Sequence, residues 1–181
     1  MPSHDLKTPS AWVTRWTPLI RAGGAVLDVA SGSGRHARFL AARSFQVTAV
    51  DRDETALAPL RSVRGVRVQV ADLEAGAWPF PSEAFDGIVV VNYLHRPLFD
   101  SLLASLRPGG ILIYETFMQG NERLGRPSNP AFLLRPGELL EVLRGAVAIV
   151  AFEQGRVETP RPAVIQRVCA VRAPAENVTI G

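Results

Sequence analysis

Lysine is almost absent from this chain: Lys7 is the only one among 181 residues, so nearly all of the 20 basic side chains are arginines. The formal net charge is only +3, and the arginines are scattered through the chain. Arg61, Arg64 and Arg67 come nearest to a cluster and read as a solvated helix end and turn. A nucleic-acid binder gathers its cations on one face or in a run, so this pattern argues against a nucleic-acid partner. Cysteine occurs once, at Cys169, which excludes an intramolecular disulfide. A lone thiol fits a reducing cytoplasm, and its apolar surroundings predict a small core residue in a strand. No apolar run approaches the roughly 20 residues that span a bilayer, so no membrane partner is expected. Residues 1–10 are polar and carry no apolar segment of the signal-peptide kind. Internal repeats, low-complexity tracts and linkers are also missing. The expectation is one cytoplasmic domain over residues 1–181, monomeric or homodimeric.

What the chain does have is alternation. Residues 26–30, 46–50, 66–71, 87–91 and 111–117 are short runs rich in Val, Ile and Leu. Runs apolar on both faces suit strands buried inside a parallel sheet. Between them, residues 35–43, 54–61 and 98–106 carry apolar residues at helical spacing. Strand–helix alternation predicts a doubly wound α/β sheet with right-handed crossovers. Pro136 suits the first turn of a helix continuing through residues 138–144. Two further strand-like runs, 147–152 and 164–171, are separated by a polar segment with Gly155, Pro160 and Pro162. That segment is too short for a crossover helix, which predicts an antiparallel pair at one sheet edge. Residues 10–21 read as an amphipathic helix with Trp12 or Trp16 inward; the segment 1–23 would cover the sheet or the mouth of a site.

The densest signal is Val26-Leu27-Asp28-Val29-Ala30-Ser31-Gly32-Ser33-Gly34-Arg35-His36-Ala37, a strand running through a glycine turn into a helix. Such a junction offers unpaired N–H groups to a polar ligand at the carboxyl end of the strand. Gly32-x-Gly34-x-x-Ala37 alone also fits the dinucleotide fingerprint. Asp28 discriminates: a carboxylate there repels pyrophosphate and suits a ligand carrying an ammonium or sulfonium charge.

With Asp28 and this turn, the chain resembles class I S-adenosylmethionine (SAM)-dependent methyltransferases, whose first motif is an acid followed by G-x-G-x-G. It departs at the first glycine, where Ala30 stands; alanine is a mild change there if the backbone stays in an ordinary region. Further motifs follow in order. Val47-Thr48-Ala49-Val50-Asp51 ends in the acid that, in this family, accepts both ribose hydroxyls; a carboxylate's two oxygens suit that task. Val70-Ala71-Asp72-Leu73 supplies the acid and backbone N–H used for adenine. Phe85-Asp86-Gly87-Ile88-Val89-Val90-Val91-Asn92 and Leu106-Arg107-Pro108-Gly109-Gly110-Ile111-Leu112 resemble the fourth and fifth motifs, the latter a turn feeding a strand. The resemblance implies a Rossmann-like fold, SAM as cofactor, S-adenosyl-L-homocysteine as product, and cofactor contacts at Asp28, Ala30, Gly32, Gly34, Asp51, Arg52, Asp72, Leu73 and Asn92. Arg35 and the helix start Arg135-Pro136-Gly137-Glu138-Leu139-Leu140 look closest to small tellurite-resistance-type methyltransferases. That group implies a small soft or anionic acceptor, such as oxyanions of tellurium or selenium, or thiols.

The acceptor should sit above the ends of the fourth and fifth strands. Asn92, Tyr93, His95, Arg96, Glu115 and Thr116 are candidates there, with Tyr93, His95 and Arg35 as the catalytic set. His95 suits a general base because imidazole titrates near neutrality. His36 reads as solvent-facing or as a helix cap. Residues 119–130 form a Gly-, Pro- and Asn-rich loop of lid length whose Asn121, Arg123 and Arg126 suit an anionic substrate. Three other readings stay open at this point: an RNA methyltransferase, a non-catalytic SAM-binding module, and an NAD(P)-binding oxidoreductase.

Overall fold

The computed structural model describes residues 8–173. The polar residues 1–7 of the expected N-terminal segment, like residues 174–181, lie outside the described residues. A seven-stranded sheet forms from β1 (Ala25–Val29), β2 (Gln46–Asp51), β3 (Val66–Val70), β4 (Phe85–Val91), β5 (Leu106–Phe117), β6 (Ala148–Val157) and β7 (Ala163–Val171). Their order across the sheet is β3-β2-β1-β4-β5-β7-β6. The first five strands pair in parallel, and β7 lies antiparallel to both β5 and β6. The predicted doubly wound sheet with an antiparallel strand pair at one edge is therefore what the chain builds. β6 reaches that edge by a crossover through α5 (Glu138–Leu143), and the β6–β7 hairpin returns the chain into the slot beside β5.

Burial explains the apolar runs. All seven residues of β4 are buried in the middle of the sheet. β3 stands at the edge and shows only partial burial, with Arg67 exposed. Helices α2 (Arg35–Ala41), α3 (Glu54–Leu57) and α4 (Phe99–Ser105) fill the crossovers. Ala37, Leu40, Leu57 and Leu60 pack one face of the sheet; Leu98, Phe99, Leu102 and Leu106 pack the other. Cys169 is fully buried in β7, and that burial pushes its thiol up to about 12.

The N-terminal helix α1 (Ala11–Trp16) is shorter than the periodicity suggests, because Pro18 turns the chain into a 3₁₀ segment. Trp12 is its inward tryptophan, 1% exposed, with Nε1 donating to the Val168 carbonyl at 3.1 Å. Two boundary expectations change. Pro136 lies in the turn before α5 rather than in its first turn, because Gly137 caps that helix with φ at 75°. The Arg107-Pro108-Gly109-Gly110 stretch is a bulged entry within β5, with φ at 78° at Gly109 absorbing the register shift against β4.

No helix among the described residues is long and apolar enough to cross a membrane.

Candidate active site

Strand register brings the predicted motifs to one edge. Val29 pairs with Val50 and with Val90, and Val91 pairs with Glu115. The residues that follow, Ala30, Asp51, Asn92 and the end of β5, therefore line the carboxyl ends of neighbouring strands. The strand order reverses between β1 and β4, which opens a crevice there.

Two cavities occupy this edge. The first, about 200 Å³, is lined by Ala30, Asp51, Arg52, Ala71, Asp72, Leu73, Glu74 and Tyr93. It gathers five of the residues expected to hold the cofactor. Asp51 bridges β2 to the glycine turn: Oδ2 accepts from the Gly32 N–H at 2.8 Å and Oδ1 from the Asp53 N–H at 2.9 Å. Each oxygen keeps a lone pair for an O–H donor. Asp72 Oδ1 accepts from the Glu74 and Ala75 amides, so its carboxylate is fixed at the cavity wall.

The glycine turn fits a ligand lying across it. A Cβ at Gly32, where φ is 52°, would meet no atom within 4 Å, so the backbone faces open space. Gly34 has φ at 79°, and a Cβ there would stand 2.4 Å from Leu60 Cδ1, so glycine is required for packing. Ala30 does not keep an ordinary backbone: its φ is 51°, a left-handed conformation costing an L-residue roughly 1–2 kcal/mol. Asn92 is left-handed as well, with φ at 59° and its N–H donating to the Glu115 carbonyl. Two strained non-glycine residues at adjacent strand ends are a signature of functional sites.

The second cavity, about 300 Å³, lies beyond Asn92 between the N-terminal strap and the β6–β7 hairpin. Its polar wall includes Ser10, Arg35, Asn92, Glu115 and Arg167, and its apolar wall includes Phe117, Val157, Pro160, Ala163 and Ile165. Asn92 thus faces this cavity rather than the one holding Asp51. Ser10 ties the strap down three ways. Its N–H donates to His36 Nε2 at 3.1 Å, its Oγ donates to Glu115 Oε1 at 2.8 Å, and its Oγ caps α1 by accepting from the Trp12 N–H. Glu115 Oε2 takes the Arg167 guanidinium at 3.2 Å.

Asp28 and His36 depart from expectation. Asp28 lies beneath the turn, 1% exposed, and lines neither cavity. Burial pushes its carboxyl up to about 7 despite the Ala37 N–H that it accepts and the Arg35 charge. It supports the turn from below, and its Oδ2 is buried with no hydrogen-bond partner among the described residues. His36 is buried, not solvent-facing, and burial together with the Arg35 guanidinium pushes it down to about 3. Because Nε2 accepts from Ser10, the neutral ring carries its proton on Nδ1, which stands 3.9 Å from Asp28 Oδ1.

The acceptor candidates separate. Arg35, Asn92 and Glu115 line the second cavity. Tyr93 lines the first one instead; burial and then the charge and hydrogen bond of Glu74 raise its phenol above the usual range. His95 lines neither of these cavities. Arg96 is consumed structurally: it holds Glu138 at 2.6 Å and donates to the Ala131 and Leu133 carbonyls. Thr116 is buried in β5. Asn121 is 2% exposed and fastens the 119–130 loop by accepting from the Val164 N–H and donating to the Pro127 carbonyl. Arg123 and Arg126 are exposed, outside both cavities. That loop is pinned beside β7 rather than drawn over the site. The segment 1–23 was expected over the sheet or a site mouth, and Thr8–Ser10 line one; the residues missed by sequence reasoning include Val157, Thr159, Pro160, Arg161 and Arg167 of the hairpin, and Glu74. Only Glu74, two residues after Asp72, had a local cue.

Residues 26–110 match the family described as methyltransferase domain. Over 127 residues, covering 62% of this chain and 46% of the relative, the sequence is 35% identical to a ubiquinone/menaquinone biosynthesis C-methyltransferase of Bordetella parapertussis. The chain spans less than half the length of the curated relatives it matches, which include ribosomal RNA methyltransferases. Among solved structures, TehB from Haemophilus influenzae superposes with a TM-score of 0.74 at 18% identity, covering 91% of this chain and 62% of TehB. A Burkholderia thailandensis 1,6-didemethyltoxoflavin N1-methyltransferase, solved with its heterocycle and S-adenosylhomocysteine, gives 0.68 at 24% identity over 94% of this chain and 80% of its own. The chain resembles class I SAM-dependent methyltransferases in its central motifs and has their Rossmann-like fold, TehB and TehB-like proteins included.

Proposed function

We propose, on the premise that residues 26–110 form a SAM-dependent methyltransferase domain, that the chain transfers a methyl group from SAM to a small organic acceptor. One observation carries this reading: the cavity that gathers Asp51, Arg52, Asp72 and Leu73 adjoins, across Asn92 and Tyr93, a second cavity large enough for an acceptor. When bound, SAM supplies an electrophilic methyl group on a sulfonium.

The chain's residues do the rest. Asp51 accepts the ribose hydroxyls in charge-assisted bonds worth roughly 1.5–3 kcal/mol each. Asp72 and the Leu73 N–H read the adenine edge. Gly32 lets the backbone approach closely, and Arg35 carries positive charge to the end of the turn facing the second cavity. The strap at Thr8–Ser10 forms one wall of that cavity. Asn92, fixed by its strained backbone, orients the acceptor. Among the described residues, Glu115 is the one carboxylate that lines this cavity, and Arg167 and Ser10 hold it. Positioning supplies much of the barrier lowering when nucleophile and electrophile are held in line. The apolar wall of Phe117, Val157 and Ile165 favours an organic body over a bare tellurium or selenium oxyanion, in keeping with the quinone and heterocycle methylation named for the relatives.

The test is methyl transfer from labelled SAM into a cell extract fractionated by size. Label in the fraction of small organic molecules is expected. Label in RNA would replace the acceptor class, and cofactor binding with no label in any fraction would favour a non-catalytic module.

A further inference from the structure

The second cavity has an ionic imbalance that narrows the acceptor further. Three arginines and one carboxylate, Glu115, line it. Arg167 is neutralised twice, by Glu115 at 3.2 Å and by Glu153 through Nε at 2.9 Å. Its guanidinium also rests over the Trp12 ring, 4.7 Å from the centroid, so it belongs to the wall. Arg35 donates to the Thr8 carbonyl at 3.2 Å and stands at the glycine-turn end. Arg161 is different. Among the described residues no carboxylate stands within 4.0 Å of it, and the neighbouring Glu158 is taken by Arg156 at 2.7 Å. The guanidinium of Arg161 lies over the Phe117 ring, 5.6 Å from its centroid. Pro160 and Pro162 flank it and fix φ on both sides, which lowers the cost of holding the cation in place.

Resting on the reading of this cavity as the acceptor site, we infer that the acceptor is a flat organic acid. Its apolar body lies against Phe117, Val157 and Ile165, and its carboxylate or other anionic group pairs with Arg161. The size agrees. An apolar cavity of roughly 150 Å³ holds benzene, and about 300 Å³ admits one ring beside the cofactor's tail. The chemistry agrees as well. An unpaired guanidinium above an aromatic face presents a planar fork that a carboxylate accepts in two bonds. A cationic amine is repelled there, and a bare oxyanion leaves the apolar wall unfilled.

The experiment uses three single-ring probes of one shape: benzoate, benzamide and benzamidinium, titrated by calorimetry into the full chain saturated with S-adenosylhomocysteine. The acid is expected to bind about tenfold more tightly than the amide, and the cation least. Arg161→Gln, a change at an exposed position, is expected to abolish the preference for acid while leaving S-adenosylhomocysteine affinity unchanged. Equal binding of acid and amide, a preference that survives Arg161→Gln, or no ring binding by cofactor-loaded protein would each overturn the inference. Failure to bind S-adenosylhomocysteine at all would instead overturn the methyltransferase reading beneath it.

Discussion

The two cavities at the sheet edge are built in opposite ways. The Asp51 cavity is assembled from residues at or just after the ends of β1, β2, β3 and β4, each within four positions of a strand end. The Asn92 cavity is assembled from segments far apart in sequence: the strap at residues 8–11, the end of β5, and a hairpin some 150 residues downstream of the strap. The first is framed by strand register, which hydrogen bonding fixes once the sheet forms. The second is framed by tertiary contacts, chiefly the three bonds of Ser10 and the burial of Trp12. In the proposed function, cofactor recognition belongs to the sheet and acceptor recognition to pieces laid over it.

The glycine turn gives the sharpest way to break this division. Gly34→Ala places a methyl 2.4 Å from Leu60 in a left-handed backbone, and the account expects a loss of about 3 kcal/mol in chemical denaturation. Gly32→Ala meets nothing, so it costs only about 1 kcal/mol of backbone strain. Its methyl enters the ligand's space, however, and S-adenosylhomocysteine affinity should fall at least tenfold. If both variants lose stability equally, the open space at Gly32 is not the cofactor's.

Arg96→Ala comes next. Glu138 is 2% exposed, and although its burial alone would raise it, the Arg96 guanidinium holds its carboxyl below the usual range. Removing that partner should cost about 3 kcal/mol and lower the thermal midpoint. Saturated turnover should change less than threefold, because Arg96 braces α5 and lines neither cavity. A selective loss of turnover in a stable variant would return Arg96 to the acceptor site.

The Asp28–His36 pair separates the layers by pH. Asp28 is raised from 3.8 to about 7, so its contribution to stability is full below pH 3.8 and is lost as pH rises through 7. His36 is lowered from 6.5 to about 3, so its contribution is present above pH 6.5 and is lost as pH falls toward 3. Between about pH 4 and 6.5 the two slopes oppose, and the protein should be nearly indifferent to pH. Asp28→Asn removes one slope. Its unfolding free energy should then fall as pH drops from 6.5 to 4, and it should gain about 1–2 kcal/mol over the parent at pH 8. A parallel pH profile for parent and variant would show that the pair does not carry these opposed shifts.

Much of this fold was legible in the sequence because its signals are local. Short apolar runs, helical spacing and the order of acids after strands identified five parallel strands and most of the residues that line the Asp51 cavity. Legibility failed where the controlling contact is distant. His36 reads as a surface residue until α1 folds over it and Ser10 takes its ring nitrogen. Arg96 reads as a substrate ligand until α5 presents Glu138, 42 positions later. Arg123 and Arg126 suited an anion by composition, and the structure fastens their loop to β7 through Asn121, with Arg123 lining a separate cavity beside Gln119 and Glu122. Ala30 misled differently: the sequence shows a small residue, and only the backbone shows that it occupies a glycine's conformation. The smallest expected effects fall on residues that line neither of the two cavities. His95→Ala and the double change Arg123→Ala with Arg126→Ala should each alter kcat/KM less than threefold.

The central claim is that Asp51 and its neighbours hold S-adenosyl nucleosides. Calorimetric titration of the chain and of Asp51→Ala with SAM, S-adenosylhomocysteine and NAD tests it most directly. The account predicts micromolar binding of the two sulfur nucleosides, none of NAD, and at least a tenfold loss in the variant. Folded protein that binds neither sulfur nucleoside, or binds NAD in their place, would contradict it.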